Sequence, residues 1–129
     1  FEELAQFAKD MKFQRLGCFA YSQEEDTPAA LMPNQVDEEI KQKRADIIME
    51  QQQNIMAEYC ESLIGSDVKV LVEGYDKLAE CYFGRSYADS PEVDGCVFFT
   101  CPDEKPEIGS FVNVKITDYT GCDPVGEMV

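Results

Sequence analysis

Histidine is absent from this 129-residue chain, and cations are scarce: 11 lysines and arginines stand against 26 aspartates and glutamates. Without imidazole, the usual general base, the histidine triads and every histidine-containing zinc site are excluded. No run of about 18 apolar residues occurs, so no membrane span is expected. The opening Phe-Glu-Glu-Leu-Ala-Gln-Phe has neither a basic n-region nor an apolar h-region and does not read as a signal peptide. It begins inside an amphipathic pattern without a methionine, as a piece of a longer protein would. Cys-x-x-Cys is also missing. The six cysteines (18, 60, 81, 96, 101, 122) are expected to be reduced, mostly buried thiols of a cytosolic protein.

The acidity is spread along the chain. Residues before Leu63 carry 6 basic and 13 acidic side chains, and those from Leu63 onward carry 5 and 13, so both parts are strongly negative. Such a surface repels phosphate backbones and anionic lipid and favours basic partners. The plainer reading is a charge that keeps the chain soluble.

What is present divides into three. Residues 1–12 have helical periodicity, with Phe1, Leu4, Phe7, Ala8 and Met11 on one face. Residues 14–22 are apolar on both faces and predict a buried parallel-type strand, which nothing nearby could pair with. Residues 22–34 read as a loop with two prolines and an acidic run. A long helix is predicted from an Asn34 N-cap to about Glu61, with Gly65 ending it.

From Asp67 the period changes to two. Strands are expected around Val68–Val72, Cys81–Ala88, Gly95–Cys101, Phe111–Ile116 and Val125–Val129, with a loop from Asp118 to Asp123. Five short strands in under 70 residues predict a small, closed, antiparallel OB-like barrel, making the chain α+β. The domains are then residues 1–34, a connecting helix at 35–62, and the barrel at 63–129.

Two motifs invite function. Tyr21-Ser22-Gln23-Glu24-Glu25-Asp26-Thr27-Pro28 follows a parallel-type strand, where ligands of α/β folds gather, yet it also reads as a plain acidic loop. Phe83-Gly84-Arg85-Ser86-Tyr87-Ala88-Asp89-Ser90-Pro91-Glu92-Val93-Asp94-Gly95 can be only a strand ending in a Ser-Pro turn. Tyr75, Tyr82, Phe83, Tyr87, Phe98 and Phe99 could stack on bases, but the basic groove that accompanies stacking is lacking.

These strings carry a resemblance. Residues 16–30, Leu-Gly-Cys-Phe-Ala-Tyr-Ser-Gln-Glu-Glu-Asp-Thr-Pro-Ala-Ala, resemble the end of the radical SAM domain of the methylthiotransferases. Val72-Glu73-Gly74-Tyr75-Asp76 and residues 84–95 look like the C-terminal TRAM domain of the same family. They most resemble the branch that modifies an aspartate of a small-subunit ribosomal protein (RimO type).

The resemblance implies a full-length enzyme with two 4Fe–4S clusters and S-adenosylmethionine, placing a methylthio group on the β-carbon of that aspartate. The family's Cys-x-x-x-Cys-x-x-Cys signature is not in this chain, so no catalytic, cofactor-binding or metal-binding residue is carried over, and the piece itself is expected to be non-catalytic. It also implies a basic ribosomal protein as partner, with tRNA and membranes disfavoured. The candidate contacts are Tyr75, Asp76, Arg85, Tyr87, Asp89, Glu92 and Asp94, with Arg85 alternatively pairing to Asp89 or Asp94. The alternative function is an RNA-binding TRAM module of a tRNA-modifying relative, and a third is a stand-alone acidic interaction domain. The full-length protein is expected to be monomeric, whereas Leu16–Tyr21 could pair pieces through an open edge.

Overall fold

A computed structural model describes all 129 residues. The chain forms two compact units, residues 1–56 and 57–129.

In the first unit, α1 (Glu2–Met11) opens with Glu2 and Glu3 at its positive end and closes on Lys12 in the left-handed conformation. Its apolar stripe is largely uncovered: Ala8 is buried, while Leu4, Phe7 and Met11 are exposed. Residues 14–22 do not form the expected strand, because no second strand in this unit offers a ladder. The segment is instead held by side chains. Buried Gln52 donates through Nε2 to the carbonyls of Phe13 (2.7 Å) and Gln14 (3.1 Å), and Arg15 Nη1 lies 3.3 Å from the Met56 sulfur. A single 3-10 turn, Pro28–Leu31, interrupts the acidic loop, and the Thr27 hydroxyl caps it by accepting from the Ala30 amide.

The long helix α2 (Glu38–Leu63) begins later than predicted. Asn34 takes a left-handed φ of 60° in the preceding loop, and the Asp37 carbonyl accepts the first helical bonds from Ile40 and Lys41. Gly65, at φ 85°, ends the helix as expected.

The second unit is a closed barrel of β1 (Asp67–Asp76), β2 (Cys81–Arg85), β3 (Val97–Thr100), β4 (Phe111–Thr120) and β5 (Asp123–Met128), in the order β1-β2-β3-β5-β4. This corrects the expectation of a wholly antiparallel barrel: β3 and β5 run parallel, Phe98 beside Val125 and Thr100 beside Glu127. β3 runs with β1 and β4 runs against it, so a strand lying between β3 and β4 must be parallel to one of them. Strand β4 also extends through the predicted 118–123 loop to Thr120, leaving a tight turn at 121–122.

The core is Val70, Val72, Val97, Phe99, Val114 and Ile116, all essentially inaccessible. They are the inward alternates of β1, β3 and β4, as period two requires. At Gly84 the β2 backbone passes so close to β1 that an added Cβ would stand 2.1 Å from the Leu71 carbonyl oxygen.

Candidate docking surface on the barrel

The candidate residues fall into two groups at opposite ends of β2, which is five residues long. At about 3.3 Å per residue, those ends are about 13 Å apart.

At one end, Tyr75 and Asp76 finish β1 opposite Tyr82 and Cys81. The Tyr75 ring meets Tyr82 edge-on at 4.9 Å, and Tyr82 stacks on buried Phe99 at 5.8 Å, so Tyr75 is a half-exposed extension of the core. Asp76 Oδ1 accepts the Leu78 amide (2.8 Å) and the Ala79 amide (3.2 Å), fixing the turn to β2.

At the other end, Arg85 leads into the loop of residues 86–96. Its Nε donates to Glu73 Oε1 at 2.6 Å. Glu73 is the extra residue of a β-bulge between Val72 and Gly74, so the bulge turns a carboxylate towards β2. Sequence reasoning missed Glu73 because alternation alone gives no sign of where a ladder skips.

Inside the loop, Asp89 Oδ2 accepts from the Ser86 amide (2.9 Å) and the Ser86 hydroxyl (2.6 Å). Asp94 Oδ2 accepts the Ser90 amide at 2.9 Å. With Asp76, three of the four candidate contact carboxylates therefore have local backbone duties. Between these clamps, Tyr87 is 94% exposed, and Glu92 stands exposed at a left-handed φ of 60°. The far side of the loop is tied by Asp123, whose Oδ1 accepts the Cys96 amide at 3.2 Å and lies where a Gly95 Cβ would be. That tie joins residues 27 apart and has no signature in the sequence.

Charge at this end is negative. Burial first, then the carboxylates of Asp123, Asp89 and Glu73 and the Cys81 thiol, push the Cys96 thiol up to about 11. Cys81 is likewise raised, by burial and then by Asp76. Two of the barrel's five cations face a ring or acids across the sheet: Lys69 lies over the Phe111 ring at 5.0 Å, and Lys115 sits in register with Asp67 on one side and Glu127 on the other. No disulfide joins the cysteines. No three histidine, cysteine, aspartate or glutamate side chains converge as metal ligands, so the implied iron–sulfur clusters find no ligand set in this chain.

The profile of the TRAM domain matches residues 64–129, about half of the chain and the whole of the barrel. The chain belongs to the TRAM domain family. Its relatives extend the likeness beyond the TRAM barrel. The chain is 42% identical over 130 residues to the ribosomal protein uS12 methylthiotransferase RimO of Bdellovibrio bacteriovorus, and 48% over 130 residues to that of Desulfitobacterium hafniense; each match covers 100% of the chain. It is 45% identical over 126 residues to the RimO of Clostridium novyi, covering 98% of the chain. The chain spans 28% of the length of each of these relatives. No helix is long and apolar enough to cross a membrane.

Proposed function

We propose that this chain is the C-terminal part of a cytoplasmic radical SAM methylthiotransferase acting on ribosomal protein uS12, and that its TRAM barrel docks that protein. The names and full-chain coverage of its relatives support the parent activity. In the whole enzyme, two 4Fe–4S clusters and S-adenosylmethionine would supply the radical and sulfur chemistry that adds a methylthio group at an aspartate β-carbon. The ligands of those groups would come from elsewhere in the enzyme, with residues 1–34 ending the radical SAM domain and the barrel at 63–129 serving recognition.

The observation that carries docking is the charge of the barrel surface. A protein that binds ribosomal RNA is basic, and thirteen acids against five cations from Leu63 onward attract it. A tRNA-docking barrel needs a basic stripe, and Lys69, Arg85 and Lys115 are each matched to an aromatic ring or to acids. Tyr87 offers an exposed aromatic anchor of the kind that dominates interfaces, with Glu92 in the same loop for charge. Asp89 and Asp94 shape the loop that presents both.

The test is binding of this chain to purified uS12 and, in parallel, to tRNA across a salt series. Saturable uS12 binding that weakens with salt is expected, with Tyr87→Ala and Glu92→Lys each reducing affinity without lowering the melting temperature. Binding to tRNA with a steep salt slope would move the assignment to the tRNA-modifying branch. Binding to neither would remove the docking role from the barrel.

A further inference from the structure

The barrel also carries a recess reached from the β1–β2 turn. A cleft of about 410 Å³ runs beside β3 and β5, with Asp76, Ala79, Cys81 and Thr100 towards the β1–β2 turn and Thr120 towards the β4–β5 turn. Phe98, Val125 and Cys81 make its apolar wall, and Asp76, Thr100 and Thr120 supply polar groups.

We propose that this cleft receives a lysine or arginine side chain of a basic protein partner, making it a specificity subsite. The inference rests on the docking reading above and deepens it.

Three features fit a cation on a long apolar stem. Such a side chain needs an apolar channel for its methylenes, and Phe98 and Val125 form one. It needs an anion or an aromatic face for its head, and Asp76 and Phe98 offer both. Asp76 commits Oδ1 to the turn amides, and its carboxylate already reaches the Cys81 thiol electrostatically. The β1–β2 turn beside Asp76 carries a further acid, Glu80, which precedes Cys81, with Lys77 as the opposing cation. A nucleic-acid strand would bring phosphates to those carboxylates.

Two substitutions separate the cleft from the general charge of the barrel. Asp76→Asn keeps an oxygen to accept the Leu78 and Ala79 amides while removing the charge. Thr120→Arg places a resident cation at the mouth, with its fold checked by a thermal melt. Glu107→Gln makes the same charge change as Asp76→Asn at an exposed position outside the cleft. The probe is a labelled peptide of alternating lysine and glycine, compared with an oligouridine.

The peptide is expected to bind the 129-residue chain, with Asp76→Asn and Thr120→Arg each weakening it about tenfold, an energy of about 1.4 kcal/mol. Glu107→Gln should leave it within about twofold. Equal loss in all three variants, no peptide binding, or oligouridine binding that depends on Asp76 would each overturn the inference.

Whole uS12 distinguishes the two readings. If uS12 binds equally to wild type and to both cleft variants, the subsite is wrong and docking stands. If the peptide binds through Asp76 and Thr120 but uS12 does not bind, docking is wrong and the subsite stands.

Discussion

The two units bury apolar surface to very different degrees. Residues 57–129 close a barrel around six inaccessible side chains, with Phe99 and Val70 at 0% exposure. Residues 1–56 contain more large apolar side chains than they cover: Leu4 is 56% exposed, Phe19 92% and Leu31 85%. Both units satisfy their local rules, since α1 is amphipathic and capped and β1 alternates. What differs is closure. The barrel's strands provide one another's second face, whereas α1 has an apolar stripe with little against it. Amphipathicity is therefore a demand for a partner, and it does not say that the partner is nearby in sequence.

The sharpest way to break this contrast is to truncate one apolar residue in each unit. Phe99→Ala should cost about 3–5 kcal/mol in chemical denaturation, because the cavity it leaves lies among fixed strands. Leu4→Ala should stay within about 0.5 kcal/mol, because little is packed on it. Similar losses would mean that the first unit has a core of the same quality.

Gly84→Ala comes next. Its Cβ would press on the backbone of Leu71, which cannot rotate away, so the cost should reach the upper end of about 1–3 kcal/mol. Gly95→Ala presses on the Asp123 carboxylate, a side chain that can swing, and should cost less in the same melt. Reversal of that order would show the 86–96 loop to be as firmly built as the ladder.

Smaller still is the loss of a loop clamp. Asp89→Ala should destabilise by about 1 kcal/mol and speed hydrogen exchange at the Ser86 amide while leaving β1 and β4 protected. Unchanged exchange at Ser86 would mean that the carboxylate does not hold the turn.

A further effect is in pH and shows only in alkali. Cys96 has its folded pKa raised from 9.0 to about 11. A raised pKa means that the full stability is present below pH 9 and is lost as pH rises through 11, since the unfolded chain releases its proton first. Cys81 and Cys101 are raised too and add to the slope. Cys96→Ala should flatten part of the decline in melting temperature between pH 9 and 11, and a profile identical to wild type would contradict the environment described for this thiol.

The sequence was most informative where periodicity and neighbours agree. The alternation of Val68, Val70 and Val72 located β1 and its inward face, and Gly65 marked the end of α2. It misled at residues 14–22, where an apolar run reads as a strand although pairing is a property of two segments. It also misplaced the start of α2, because Asn34 can cap a helix or sit in a left-handed turn, and the turn prevailed. At the candidate surface, Tyr87 was expected within a strand reaching Ala88, whereas β2 stops at Arg85 and leaves Tyr87 exposed in the following loop. The Glu73–Arg85 pair and the Asp123 tie were not readable, since a bulge and a contact between residues 27 apart depend on register. The direction of β5 was equally hidden: a strand's apolar pattern reads the same whichever neighbour it joins.

That direction has a consequence during translation. Strand β5 inserts between β3 and β4, yet it emerges from the ribosome after both. Until residues 123–128 are available, the nascent barrel carries two unzipped edges, β3 and β4, each able to capture a stray strand. The barrel thus acts as a late-locking clasp, in which one short hairpin arm completes the ring and quenches both sticky borders in a single event.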